Sequence, residues 1–267
     1  MVDKSEKFSL LVRLGYAARG VVYVLLGYLA LSTAGKAGEG QNAVFDLIQD
    51  VPLGTPMLYL VALGLLAYAL FKLVDAATDA ENHGDDSAGK AKRVGSAASG
   101  IAHLVLAYTA YQFAQGDKQQ ASSGGGSGGQ DAAGSLLTWD VGPLVLGLIG
   151  LGFLIGAAMQ AKSAYTANFM KHIGGGAPHY VKPIGQAGHA ARAVVFLLIG
   201  WSLIKGAWLS SAGEVKGLGD ALVALSDNGI LYTLVALGLM LFGLFSLIVA
   251  RYRIIPDLNR SQLKPKL

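Results

Sequence analysis

Apolar residues fall into six long runs along this chain, and polar or charged residues sit almost wholly in the segments between them. The runs cover about 10–33, 56–76, 94–115, 142–162, 184–209 and 229–251. Crossing roughly 30 Å of hydrocarbon takes about 20 helical residues, so each run is long enough for one transmembrane helix. The connectors differ. In "VFDLIQDV", Val44, Leu47, Ile48 and Val51 fall at helical spacing, which predicts a short helix lying in the membrane interface. "LGDALVAL" repeats the idea with Leu218, Leu222 and Leu225. "SSGGGSGGQ", from Ser122, reads as a flexible loop, and with no strand before it and no Gly-Lys-Ser/Thr after it, it makes no phosphate cradle. "DAATDAENHGDDSAGKAKR" reads as a solvated connector of mixed charge.

An even number of crossings returns both termini to one side. Of the 21 Lys and Arg residues, only Lys36, Lys118, Lys205 and Lys216 belong to the opposite side, leaving 17 with the termini. That bias predicts a multi-pass protein of an inner (plasma) membrane with both termini cytoplasmic. The first run is expected to stay in place, because Arg13 and Arg19 interrupt it and no small-residue cleavage site follows. Composition agrees: 53% of residues are hydrophobic and 14% charged, against about 25% charged in soluble domains. The net charge of +4 is sorted by membrane side, so no nucleic-acid partner is expected. Zero cysteines excludes disulfides, thiolate metal sites and Cys nucleophiles.

The runs are not independent. Gly15, Ala17, Ala18, Gly20 and Val21 align with Gly95, Ala97, Ala98, Gly100 and Ile101, and again with Gly188, Ala190, Ala191, Ala193 and Val194. The even runs agree more loosely, as "VALGLLAYALFKLV", "GLGFLIGAAMQ" and "VALGLMLFGLFSLI". The predicted fold is therefore an all-α integral membrane protein with six transmembrane helices in three parallel two-helix repeats. The repeats, at about 8–77, 88–165 and 182–254, form one membrane domain over 1–267, with pseudo-threefold symmetry about the membrane normal.

These residues resemble a bacterial membrane family, the domain of unknown function 1206. "GYAARGVVYVLLG", "GHAARAVVFLLIG", the segment "AYTANF" and the terminal "ARYR" carry the resemblance over almost the whole chain. It implies a three-repeat, six-helix fold in a bacterial inner membrane and no particular activity. The second copy departs from the pattern with Ser99 where the other two have arginine.

Residues three and four apart share a helix face, so one face collects Tyr16, Arg19 and Tyr23. Its counterparts are Ser96, Ser99 and His103, then His189, Arg192 and Phe196. Polar groups avoid lipid, which turns this face toward other helices. Arg19, Tyr23, Ser99, His103, His189 and Arg192 are thus the candidate ligand-binding residues. Each arginine lies about nine residues into its run, roughly 13 Å along the axis. From there it either plays a structural role, the leading reading, by snorkelling to inner-leaflet phosphates or by hydrogen bonds that lock helices together, or it binds an anionic ligand or lipid headgroup. Asp and Glu keep to the ends of the runs, at Asp75 and Asp140, so a carboxylate proton relay is disfavoured.

No cofactor is implied. His172 and His179 flank "IGGGAP" and His83 sits near Asp85 and Asp86, but neither group has metal-ligand spacing, and no metal site is expected. No nucleophile lies beside a base, so the chain is not read as an enzyme. Two functions remain. The first is a structural or accessory binding subunit, with the bilayer, anionic headgroups and a membrane-protein partner or second copy as contacts. The alternative is a small transporter, channel or lipid-handling protein with a pathway or anionic-ligand site between helices one, three and five. Mitochondrial carriers share three two-helix repeats, but their P-x-[DE]-x-x-[KR] element is missing from every odd run here.

Overall fold

The structure, a computed structural model, describes residues 4–32, 39–117 and 128–254. Each apolar run becomes one long helix: α1 (Lys4–Ser32), α3 (Gly54–Thr78), α4 (Ser87–Gln115), α6 (Gly142–Thr166), α7 (Val181–Leu209) and α9 (Gly229–Tyr252). Shorter helices α2 (Gln41–Gln49), α5 (Gly128–Leu137) and α8 (Leu218–Val223) lie in the connectors away from the termini. Local chemistry sets several ends. Asp86 caps α4 by accepting from Gly89 N at 2.8 Å, and Asn228 caps α9 by accepting from Leu231 N at 3.1 Å. At its far end α4 stops on Gly116, whose φ of +87° is left-handed backbone that a glycine adopts without strain.

Five of the long helices are apolar enough to cross a membrane: α1 from Ser9, α3, α6, α7 and α9. The expectation was six. The remaining helix, α4, opens with Lys90, Lys92 and Arg93 and carries Ser96, Ser99 and His103, which lowers its apolar character.

Packing does not follow the repeats as pairs. The first helix of each repeat packs most extensively on the second helix of the one before: α4 on α3, α7 on α6, and α1 around onto α9. Small residues explain the choice. A Cβ on Gly20 would lie 2.9 Å from the Gly243 carbonyl, and one on Gly100 would lie 3.1 Å from the Ala69 carbonyl, so the backbones touch directly. The same pairing is tied at its ends. Arg13 donates to the carbonyls of Ala250 (3.0 Å) and Arg251, Arg93 to Ala76 (2.9 Å) and Ala77, and Gln186 to Ala164 (2.7 Å) and Tyr165. Each donor stands two residues before the repeat glycine at 15, 95 or 188, and each satisfies carbonyls that a helix end leaves without partners. Lesser contacts join α1 to α3 and α7 to α9. The helices therefore succeed one another as α4, α3, α1, α9, α7, α6.

Helix α2 forms where the spacing predicts, but it is not an interfacial helix. Val44 and Phe45 are fully buried and Ile48 nearly so, with Phe45 against Phe113 at 5.8 Å between ring centroids. Its apolar stripe finds protein on α1, α3 and α4, which buries it more completely than a membrane surface would. Val51 lies beyond the helix and is exposed. In α8 and just after it, Leu222 and Leu225 are buried and Leu218 is half-buried. Most of the glycine-rich loop lies outside the described residues, but its end belongs to α5, where Ala133 is buried.

Candidate functional site

Two polar clusters are buried in the bundle. The first gathers the predicted face. Arg19, 7% exposed, donates from Nε and Nη2 to Ser246 Oγ at 3.2 and 3.0 Å and from Nη1 to the Tyr68 hydroxyl. The Ser246 hydroxyl in turn donates to the Phe242 carbonyl at 2.9 Å. Around the Arg19 guanidinium stand the rings of Tyr16, Tyr68 and Phe242, 4.7, 4.7 and 4.9 Å from it. Arg192 reaches the same place from α7, lying 4.5 Å from the Phe242 centroid, 4.8 Å from Phe196 and 5.8 Å from Tyr23. Neither arginine snorkels: both guanidinium groups end among aromatic rings inside the bundle.

The other predicted residues lie around this core. His103 packs its ring 4.5 Å from Tyr68 and donates from Nδ1 to the Ser99 carbonyl at 2.7 Å. Ser99 is half-buried and takes part through that carbonyl. His189 stacks on Phe169 at 5.0 Å and pairs its Nδ1 with the Gln160 side chain. Two nitrogens here are buried without a hydrogen-bond partner, Arg192 Nε and His189 Nε2. Of the residues around Arg19, Tyr16 belongs to the predicted face, whereas Tyr68, Phe242 and Ser246 escaped the sequence reading. These three sit on α3 and α9, the second helices of their repeats, whose weak repetition gave no reason to single them out.

The second cluster lies at the end of the bundle that carries the termini. Asp75 is fully buried and accepts from Ser96 Oγ at 2.6 Å, from Glu81 N at 2.7 Å and from His83 Nε2 at 3.1 Å. Glu81 pairs with Lys72 at 2.9 Å and with Arg253, which also lies 4.7 Å from the Tyr16 ring. Asp79 is buried too, accepting from His83 N at 2.6 Å and Gly84 N at 3.1 Å. The stretch read as a solvated connector is thus a folded turn that buries Asp75 and Asp79 while much of the rest stays exposed. Asp75 anchors it from the helix end, and Arg253 of "ARYR" closes over it.

Asp75, Glu81 and His83 bring three metal-donor atoms within 4.8 Å of one another. His83 therefore pairs with neither Asp85 nor Asp86, as a search by sequence neighbours would have it. Lys72 and Arg253 both pair with Glu81, and Asp75 already accepts from Ser96, Glu81 N and His83, so these groups have their partners within the cluster. The other histidine pair comes apart. His172 is half-buried, and burial, then Lys171, pushes its pKa down to about 4, while His179 packs against Tyr180.

Fold and clusters together define an all-helical, multi-pass membrane protein with a buried Arg19 and a half-buried Arg192 that share an aromatic cluster. The family description Domain of Unknown Function (DUF1206) matches residues 14–79, 94–167 and 187–253, and the chain belongs to that family. It is similar to the Uncharacterized protein YxxB of Bacillus subtilis (strain 168), 31% identical over 253 residues and 90% of each chain. No solved structure matches.

Proposed function

We propose that this protein is a six-span bundle that binds an anionic group between α1, α4 and α7, as a membrane binding or lipid-handling protein and not an enzyme. The observation that carries the reading is a contrast of charge. At the terminal end, Lys72 and Arg253 pair with Glu81, and the carboxylates of Asp75 and Asp79 lie beside them. At the arginine cluster, two guanidinium groups share the Phe242 ring, and among the described residues no carboxylate pairs with either. Arginine stays protonated at any working pH. Taking one such ion out of water costs several kcal/mol, whereas a cation–π contact returns about 0.5–2 kcal/mol. Rings and hydroxyls offset part of that cost, and an anion offsets the rest.

The two arginines then divide the work. Arg19 spends its donors on Tyr68 and Ser246 and holds α1, α3 and α9 together. Arg192, with Nε unmatched, faces the ligand with His189 beside it. In this reading α4 crosses the membrane as well, because it packs along the full-length span α3. The equivalent end-ties at Arg13, Arg93 and Gln186 support a pseudo-threefold relation of the repeats about the membrane normal. The 17-to-4 distribution of Lys and Arg supports a bacterial inner-membrane protein with both termini cytoplasmic.

The second reading, a structural or accessory subunit, draws on the close aromatic packing of Arg19. The two separate on one experiment. In detergent micelles, fluorescent phosphatidylglycerol is expected to bind at least tenfold tighter than the phosphatidylcholine analogue, and Arg192→Gln to erase the preference. Equal binding of both lipids by the wild-type protein favours the structural reading.

A further inference from the structure

One of the three equivalent helix interfaces is missing. On α1, Gly15, Ala18 and Val22 are buried against α3; a Cβ on Gly15 would sit 2.7 Å from Tyr68 N. On α7, Gly188, Ala191 and Val195 are buried against α9, with Phe242 at 2.7 Å from such a Cβ. The matching positions on α4 are Gly95, Ala98 and Ala102, and all three are exposed, with open space around the Gly95 position. Helix α6 mirrors this. Gly64 of α3 and Gly238 of α9 are buried, while the equivalent Gly152 is exposed and meets nothing within 4 Å. Where α3 and α9 carry Tyr68 and Phe242, α6 carries Gly156. The aromatic side chain that fills the other two interfaces is absent from the third.

The gap therefore falls between α4 and α6, the two ends of the helix succession. Half-buried members of the arginine cluster stand on the helices beside it: Ser99 on α4, and His189 and Arg192 on α7, which packs along α6. Arg192 Nε and His189 Nε2 are the atoms of that cluster without partners. Exposed small residues thus line the seam on α4 and α6, and the neighbouring α7 carries unmatched donors near a doubled positive charge. A neutral helix or a lipid with an uncharged headgroup would cover the seam without answering that charge. A molecule with an acyl chain and an anionic head does both.

Resting on the anionic-group reading above, we propose that the opening between α4 and α6 admits an anionic membrane lipid sideways from the bilayer. Its headgroup lies at Arg192, and a chain runs along Gly95, Ala98, Ala102 and Gly152. Lipid in the seam restores the apolar contact that the second repeat lacks and supplies the counter-charge that the core lacks.

The test fills the seam without touching the arginines. Ala98→Leu with Gly152→Leu places side chains only where the structure has open space, so folding is expected to survive. Binding of fluorescent phosphatidylglycerol in micelles should weaken at least tenfold, while the thermal shift produced by inorganic phosphate should stay at the wild-type value. Should the double variant fold poorly, Ala98→Cys, the sole thiol in the chain, is labelled after folding with a bulky maleimide and measured in the same way. Undiminished phosphatidylglycerol binding with the seam filled overturns lateral access and leaves the anion site standing. Undiminished binding by Arg192→Gln overturns the anion site itself. Cross-linking from Ala98→Cys to a second copy or another membrane protein in stoichiometric yield assigns the seam to a helix and overturns the lipid proposal.

Discussion

Arg19 and Arg192, on helices 173 positions apart in sequence, hold their guanidinium groups 4.9 and 4.5 Å from the same Phe242 ring. One aromatic ring thus serves two positive charges, and among the described residues neither charge has a carboxylate to answer it. The ring stabilises both charges and links α1, α7 and α9.

Replacing that ring tests the link. Phe242→Leu keeps apolar volume but removes the quadrupole under both cations, at about 0.5–2 kcal/mol for each. The unfolding midpoint in detergent should fall, and a double-mutant cycle with Arg192→Met should return a coupling of that size. Additive losses would mean the ring acts only by filling space.

The Arg19 acceptors should behave as partners of a buried charge. Tyr68→Phe and Ser246→Ala each remove a hydrogen bond to a cation, worth about 1.5–3 kcal/mol. Tyr23→Phe, beside the less tightly held Arg192, should cost less. Thermal denaturation of the three variants in one detergent ranks them.

At the terminal end, Glu81→Gln removes the carboxylate that both Lys72 and Arg253 pair with. Breaking a buried pair from one side costs about 3–5 kcal/mol. Glu214→Gln is the control, because its pair with Lys205 is far more exposed (34% and 49%) and such a pair is worth about 1 kcal/mol or less. Similar losses for the two variants would show that the terminal cluster is wet.

The three repeat glycines should differ sharply. Gly15→Ala and Gly188→Ala drive a methyl into the backbones of Tyr68 and Phe242 and should be strongly destabilising. Gly95→Ala meets nothing and should be neutral, or stabilising by up to about 1 kcal/mol through helix propensity. Equal sensitivity at all three positions would mean that α4 and α6 close on each other.

Phe45→Ala decides where α2 lies. As a buried plug against Phe113 it should cost about 3–5 kcal/mol, measured as a lowered unfolding midpoint. A helix resting in the interface would lose far less.

Run length, the sorting of Lys and Arg and the threefold recurrence of "GYAARG"-like helices determined the helices, their repetition and the family. They did so because helix formation in lipid depends on local apolar content and local backbone satisfaction. The face bearing Arg19, Tyr23, His103, His189 and Arg192 was legible for the same reason, since a period of 3.6 residues needs only neighbouring residues. Tertiary structure alone decided which helix each repeat packs against, because glycine contacts such as Gly20 with Gly243 join residues over 200 positions apart. It also folded "DAENHG" around the buried Asp75 and packed α2 against α1, α3 and α4, since whether a polar turn or an apolar stripe meets water, lipid or protein depends on what else arrives there. Above all it left one of three equivalent interfaces open. Gly95 and Gly152 look like Gly15 and Gly64 in sequence, and only the absent neighbour distinguishes them.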